Sequence, residues 1–201
     1  AIRQADLAII VEGYMDVIAC HQFGVTNAVA SLGTALTPDQ TRALLRHTYQ
    51  VAIAYDGDTA GSLAALRGLD VLGDFGAQVR VVKFPQGLDP DEYLRKYGKD
   101  NFHRLVAESE SLIEYKLFKA MENANIGSIE GKLKVTQAVL PDLEKIDSPV
   151  ARESAVKIIS TKLGLAEATI LGELRKFSRQ KGKFLQNKDR KTENRENNSV
   201  N

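Results

Sequence analysis

The sequence predicts an α/β fold: a parallel sheet flanked by helices, followed by an all-α helical bundle and a disordered tail. Three observations carry this prediction. Short apolar runs at 7–11 (LAIIV) and 51–55 (VAIAY) are rich in Ile and Val and lack the alternation of half-exposed strands, so they suit strands buried on both faces. Helical stretches with short connections separate the runs, as in a sheet covered by helices. Beyond Asp89 strand signals vanish and apolar residues recur at helical spacing. The resulting divisions are 1–98 for the sheet, 99–180 for the bundle and 181–201 for the tail.

In order, strand 7–11 leads to a helix at 14–23 ended by Gly24, and strand 27–30 leads into the turn Ser31, Leu32, Gly33, Thr34. Thr37 is placed to cap the next helix, with Pro38 at its first position and Gln40 closing a capping box. That helix turns Ala43, Leu44 and Leu45 inward and ends near His47. Strand 51–55 precedes a helix at 59–72 with Leu63, Leu66 and Leu69 on one face, and strand 78–82 follows. Helices are then expected at 90–97, 101–107, 112–121, 128–140, 149–163 and 166–177. Leu133, Ala138 and Leu140, and Val156, Ile159 and Leu163, are the expected inward positions of the bundle. The last 22 residues hold only Phe184, Leu185 and Val200 as apolar side chains, too few to bury a core, and read as a flexible linker or tail.

At 201 residues the chain needs neither disulfide nor metal staples. Its one cysteine, Cys20, sits among Val17, Ile18 and Ala19 and reads as a buried thiol in a reducing compartment. No apolar run reaches the roughly 18 residues that span a bilayer, and the first residues lack the charged-then-apolar pattern of a signal peptide. A soluble cytoplasmic protein is expected. The net charge of +1 gives no case for nucleic-acid binding from composition alone.

The chemistry lies in acids that follow the strands. Glu12 and Asp16 follow the first, Asp56 and Asp58 the third, and Asp89 and Asp91 come after the fourth. In a parallel sheet these positions share the carboxyl edge, where ligands bind. Gathered there, six carboxylates would repel one another and some would hold protons near neutral pH. A hard divalent cation removes that penalty, and magnesium is bound by a few carboxylates together with substrate phosphates. Each piece also has a plain reading, since Asp58 and Asp89 both stand where helices begin. What favours a site is that all three groups lie at one edge of one sheet. His21, His47 and His103 lack partners at metal-ligand spacing. Ser31 has no evident base and reads as a turn residue.

EGYMDV (12–17), ASLGTALT (30–37), YDGDTAG (55–61) and LDPDEYL (88–94) together resemble the TOPRIM module of bacterial DNA primase, the DnaG type. The resemblance covers about 7–97 strongly, and the helices to about 180 are similar to the bundle that follows TOPRIM in that family's polymerase domain. It implies a TOPRIM-type sheet, with Glu12, Asp56 and Asp58 as catalytic acids. It also implies a metal set of Glu12, Asp16, Asp56, Asp58, Asp89 and Asp91 holding Mg2+ or Mn2+. The implied reaction makes short RNA primers from ribonucleoside triphosphates on a single-stranded DNA template, in a monomer without membrane contact. A Zn2+ domain and a basic subdomain are expected upstream and a helicase-binding domain beyond the C-terminus, so the chain reads as a fragment with little primer synthesis of its own. Two alternatives stay open: another TOPRIM enzyme, a nuclease or topoisomerase-like protein, and a non-catalytic replication scaffold.

Overall fold

Strands hidden on both faces are what a parallel sheet requires, and the apolar runs supply them. The computed structural model describes residues 1–31, 36–56 and 70–197, with all their side chains except those of 86 and 183–197. It divides into two units, Ala1–Tyr115 and Lys116–Asn201. In the first, β1 (Ala8–Val11), β2 (Ala28–Ala30), β3 (Gln50–Ile53) and β4 (Gln78–Val81) are parallel in the order β2-β1-β3-β4. Every residue of β1 is fully buried, and Ile10 lies opposite Val29 on one side and Ile53 on the other.

A fifth strand corrects the expectation that strands end before Asp89. The two residues of β5 (Glu110–Ser111) pair antiparallel with β4. Two residues are too few to show a period, so the strand depends on a distant side chain. Arg80, in β4, donates from Nε to the carbonyl of Ser109 at 3.1 Å and from Nη2 to the carbonyl of Ala107 at 3.3 Å, fixing the approach to β5. Charged hydrogen bonds of this kind are each worth about 1.5–3 kcal/mol at most. Arg80→Ala is therefore expected to lower stability by roughly 1–3 kcal/mol. Amide exchange would show it as lost protection at the Val81–Glu110 pair, with β1 unaffected.

Helices cover both faces of this sheet. On one face Ile9 and Val11 meet Cys20 of α2 (Tyr14–Gln22) and Leu94, Phe102 and Val106 of α4 (Pro90–Ala107). On the other, Ile10, Val51 and Ile53 meet Leu45 of α3 (Pro38–Leu45) together with Leu72. A short α1 (Ile2–Ala5) precedes β1. The predicted capping box of α3 is present: Gln40 N–H donates to Thr37 Oγ1 at 3.2 Å, and Thr37 N–H donates to Gln40 Oε1 at 2.9 Å. Its buried side is Thr41 and Leu45, and Ala43 is exposed rather than inward. The helices expected at 90–97 and 101–107 are both present within α4, separated at Gly98, whose φ of 75° and ψ of 173° are not helical. Most of the helix expected at 59–72, with Leu63, Leu66 and Leu69, lies outside the described residues; 70–74 is helical.

The chain passes into the second unit within α5 (Leu112–Glu122). There α6 (Ile129–Lys145) and α7 (Pro149–Leu163) are followed by α8 (Glu167–Asn197), which packs on both. Helix α6 does not stop at Leu140: it continues through Pro141, so the buried stripe is Gly131, Val135, Val139 and Leu143, while Leu133 and Ala138 are exposed. Helix α8 likewise runs past Phe177 to Asn197, because 178–197 contains no proline and a single glycine to end it. Lys116 of α5 pairs with Asp142 of α6 at 2.6 Å, both largely buried. Among the described residues no helix is long and apolar enough to cross a membrane.

Candidate functional site

The strand order reverses direction between β1 and β3, and the carboxyl ends of strands at such a switch point form the binding crevice of open α/β sheets. Glu12 directly follows β1. Asp56 follows β3 after the buried Ala54 and Tyr55. The amide of Ala54 donates to the carbonyl of Ile10 at 2.8 Å, so the two strand ends stay in register to the rim. Tyr55 OH donates to Ser31 Oγ at 3.0 Å in a buried contact, and Ser31 N–H donates to the carbonyl of Val11 at 3.1 Å. Ser31 is thus more than a turn residue, since it ties the ends of β1, β2 and β3 together beneath the acids.

Asp16 returns to the same rim from the first turn of α2. Its Oδ2 accepts the Gly13 amide at 3.0 Å. Burial pushes the Asp16 carboxyl above the usual range; the Gly13 hydrogen bond opposes this, and the charges of Asp89, Glu12 and Asp91 add to it. Burial likewise raises Asp56, reinforced by Asp16, Glu12, Asp89 and Glu92. The acids therefore share one electrostatic neighbourhood although they come from three separate stretches of chain. Glu92 was not among the sequence candidates. Its position in the capping box of α4 masks it, because its amide donates to Asp89 Oδ1 at 2.7 Å as in any helix start.

The outer acids have other partners as well. Asp89 caps α4, and Asp91 accepts from Arg95 Nε at 2.7 Å on the same helix. Asp58, the turn at Gly57 and the amides around Gly33 lie outside the described residues. Among the described residues, no group of three or more His, Cys, Asp or Glu side chains is arranged to hold an ion by itself. His21 shares a hydrogen bond with the carbonyl of Ala28 at 3.1 Å, and His47 and His103 are exposed. The Cys20 thiol is pushed up to about 12 by burial and then by Asp16 and Asp91, which keeps it an inert core residue. Burial also raises the Tyr55 hydroxyl, against the Ser31 hydrogen bond and with Glu12 adding.

The raised acids give the pH dependence a sign. A carboxyl whose folded value lies above its unfolded value binds more protons in the folded state, so its contribution to stability falls as pH rises from about 4 through the folded values. In EDTA, the melting temperature of the parent minus that of Asp16→Asn/Asp56→Asn is therefore expected to decline between about pH 4 and neutrality. A difference that rises over that range would contradict the shared neighbourhood.

Residues 9–94 match the family model described as Toprim-like, and residues 113–168 match the DnaB-helicase binding domain of primase. The DNA primase of Clostridium acetobutylicum is 47% identical over 165 residues, covering 82% of this chain. That of Escherichia coli is 34% identical over 169 residues, covering 83%. The Escherichia coli primase catalytic core superposes with a TM-score of 0.68 at 34% identity, over 80% of this chain and 52% of that one. The chain belongs to the DnaG-type primase family. A DnaG primase catalytic domain bound to single-stranded DNA gives a TM-score of 0.69 at 32% identity, over 82% and 53% of the two chains. The chain spans 28% of the length of the Clostridium primase and 29% of that from Escherichia coli. The helicase-binding match falls on 113–168, inside the helical part, whereas the sequence reading put helicase binding beyond residue 180.

Proposed function

We propose that this chain carries the metal-holding acids of a DNA primase, the enzyme that makes short RNA primers for replication in the bacterial cytoplasm. The observation that carries the reading is that Asp16 and Asp56, both raised by burial, stand near the switch point of the sheet with the charges of Glu12 and Asp89 acting on each of them. Turn and cap chemistry alone does not require acids from β1, β3 and α4 to crowd one rim. An all-carboxylate donor set suits a hard cation such as Mg2+ or Mn2+, which keeps waters and substrate phosphates as its remaining ligands. In this reading Glu12, Asp56 and Asp58 would hold the ion, and Asp16, Asp89 and Asp91 would support it. The bound cation would neutralise the triphosphate and stabilise the leaving pyrophosphate.

The protein's part is positional. The Tyr55–Ser31 contact and the Gly13–Asp16 hydrogen bond hold Glu12, Asp16 and Asp56 in place without a substrate, so little reorganisation remains at the moment of reaction. No described side chain at the rim stands out as a general base. The buried Tyr55, whose hydroxyl is held by Ser31 and resists ionisation, is a poor nucleophile, which counts against strand transfer of the topoisomerase kind through it. The match at 113–168 supports a second role for the helical part, contact with the replicative helicase.

Titration of the chain with Mn2+ by calorimetry tests the metal reading. The parent is expected to bind weakly, and Asp56→Asn/Asp58→Asn to lose binding by tenfold or more. Unchanged affinity would put the non-catalytic scaffold ahead.

A further inference from the structure

The acids of the rim create a problem of charge for their own substrate. A triphosphate brought to Glu12, Asp16, Asp56, Asp89 and Asp91 meets carboxylates, and a bound divalent cation offsets only part of the combined negative charge. A cation fixed in the protein beside those acids would offset more of it, and α4 supplies one.

Arg95 stands one turn along α4 from Asp91, and its Nε donates to Asp91 Oδ1 at 2.7 Å. Helical side chains lean toward the N-terminus of their helix, so Arg95 reaches back toward the end of α4 that carries Asp89 and Asp91. Asp91 is close enough to the rim for its charge to act on Asp16. An acid followed four residues later by a base is also an ordinary helix-surface pair. Two features go beyond that. The contact uses Nε alone, and among the described residues neither Nη nitrogen has a partner, whereas a pair built for strength engages both carboxylate oxygens with the guanidinium fork. The exposures are also unequal, 62% for the Arg95 side chain against 23% for that of Asp91, so the acid is set into the protein while the cation stands in solvent. By contrast, Lys83, which follows β4, is paired with Glu110 at 2.7 Å, and Lys96 lies over the ring of Tyr97. Of these three cations, Arg95 is the one held by a candidate metal acid.

We propose that Arg95 binds the phosphates of the metal-bound substrate and that Asp91 presents its guanidinium to them. This role deepens the metal reading above and rests on it. The N–H donors of Nη1 and Nη2 lie in one plane and match a pair of phosphate oxygens. Arg95 takes Asp91 Oδ1, which leaves Oδ2 for the ion or one of its waters, so a single carboxylate would join cation and guanidinium. Because the side chain is already held, little of its freedom is lost when a phosphate arrives.

The test uses the whole chain and pyrophosphate, whose chemistry the substrate and the leaving group share. Equilibrium dialysis with trace labelled pyrophosphate at saturating Mn2+ compares the parent with Arg95→Gln, Arg95→Lys and Arg104→Gln. The last removes the same charge from an exposed position farther along α4. Arg95→Gln is expected to weaken pyrophosphate binding about tenfold, the loss of one charged two-pronged contact. Arg95→Lys, a point charge without the fork, should weaken it about threefold, and Arg104→Gln should match the parent. Titration with Mn2+ alone separates the two readings. Arg95→Gln should bind Mn2+ at least as tightly as the parent, since Asp91 loses a competing cation. A parent that binds no Mn2+ would overturn the metal reading and this role with it. Where Mn2+ binding is retained, the role of Arg95 alone is overturned if the parent takes up no pyrophosphate, if Arg95→Gln binds it as the parent does, or if Arg104→Gln weakens it equally. Melting in EDTA checks that each variant is folded, and a purely structural Arg95 would lower that temperature without changing pyrophosphate affinity.

Discussion

Asp56→Asn is expected to move two measurements in opposite directions. In the primase that carries this segment, primer synthesis on single-stranded DNA should fall about a thousandfold, the loss that follows from removing several kcal/mol of charge stabilisation in a phosphoryl-type transition state. In the chain without divalent cation, the same substitution should raise stability by roughly 1 kcal/mol, or about 2–4 °C in melting temperature. The second effect follows from the environment of Asp56, where burial and the charges of Asp16, Glu12, Asp89 and Glu92 all disfavour its ionised form. An amide of the same shape removes one charge from that group. Millimolar Mn2+ should stabilise the parent and leave the variant nearly unchanged, since a ligand stabilises only the state that binds it. An aspartate held for structural reasons would behave otherwise: its loss would destabilise the cation-free chain. A lower melting temperature for Asp56→Asn in EDTA would sink the metal reading even if activity also fell.

What the sequence made legible is what local chemistry dictates. Thr37, Pro38 and Gln40 are a complete helix start within four residues, and their hydrogen bonds are those expected. The run that ends at Glu12 became a fully buried strand because nothing polar interrupts it. What stayed hidden depends on residues far apart in sequence. β5 is fixed through Arg80, about thirty positions earlier, and no pattern within two residues could announce it. The coupling of Glu92 to Asp56 is visible only once α4 has been laid against the sheet. In α6 the error had a local source. Pro141 reads as a stop because it lacks an amide and crowds the preceding turn, yet the helix carries it with Val139 and Leu140 buried before it and Leu143 after it. Stopping at Leu140 hid Leu143, and with it the four-residue spacing that sets the buried stripe.

That stripe begins at a glycine, and alanine there should have an effect opposite in sign to the usual one. Within a helix, Gly→Ala ordinarily stabilises by about 0.5–1 kcal/mol because glycine loses more backbone freedom on folding. Gly172 in α8 is such a case, with nothing within 4 Å of an added Cβ. At Gly131 the added Cβ would stand 1.8 Å from the carbonyl oxygen of Asn125 and 2.5 Å from its carbon. Backbone cannot swing aside as a side chain does, and this carbonyl is held twice, by the amide of Ser128 at 3.0 Å and by its hydroxyl at 2.9 Å. Ser128 is also the cap of α6, its Oγ accepting the Gly131 amide at 3.0 Å. Relieving the clash therefore means giving up the cap, worth about 1 kcal/mol, on top of the 1–3 kcal/mol typical of overpacking. Gly131→Ala is expected to destabilise the helical part by about 2–4 kcal/mol, and Gly172→Ala to stabilise it slightly. Thermal unfolding of the two variants side by side decides the matter, because helix propensity alone would make both more stable.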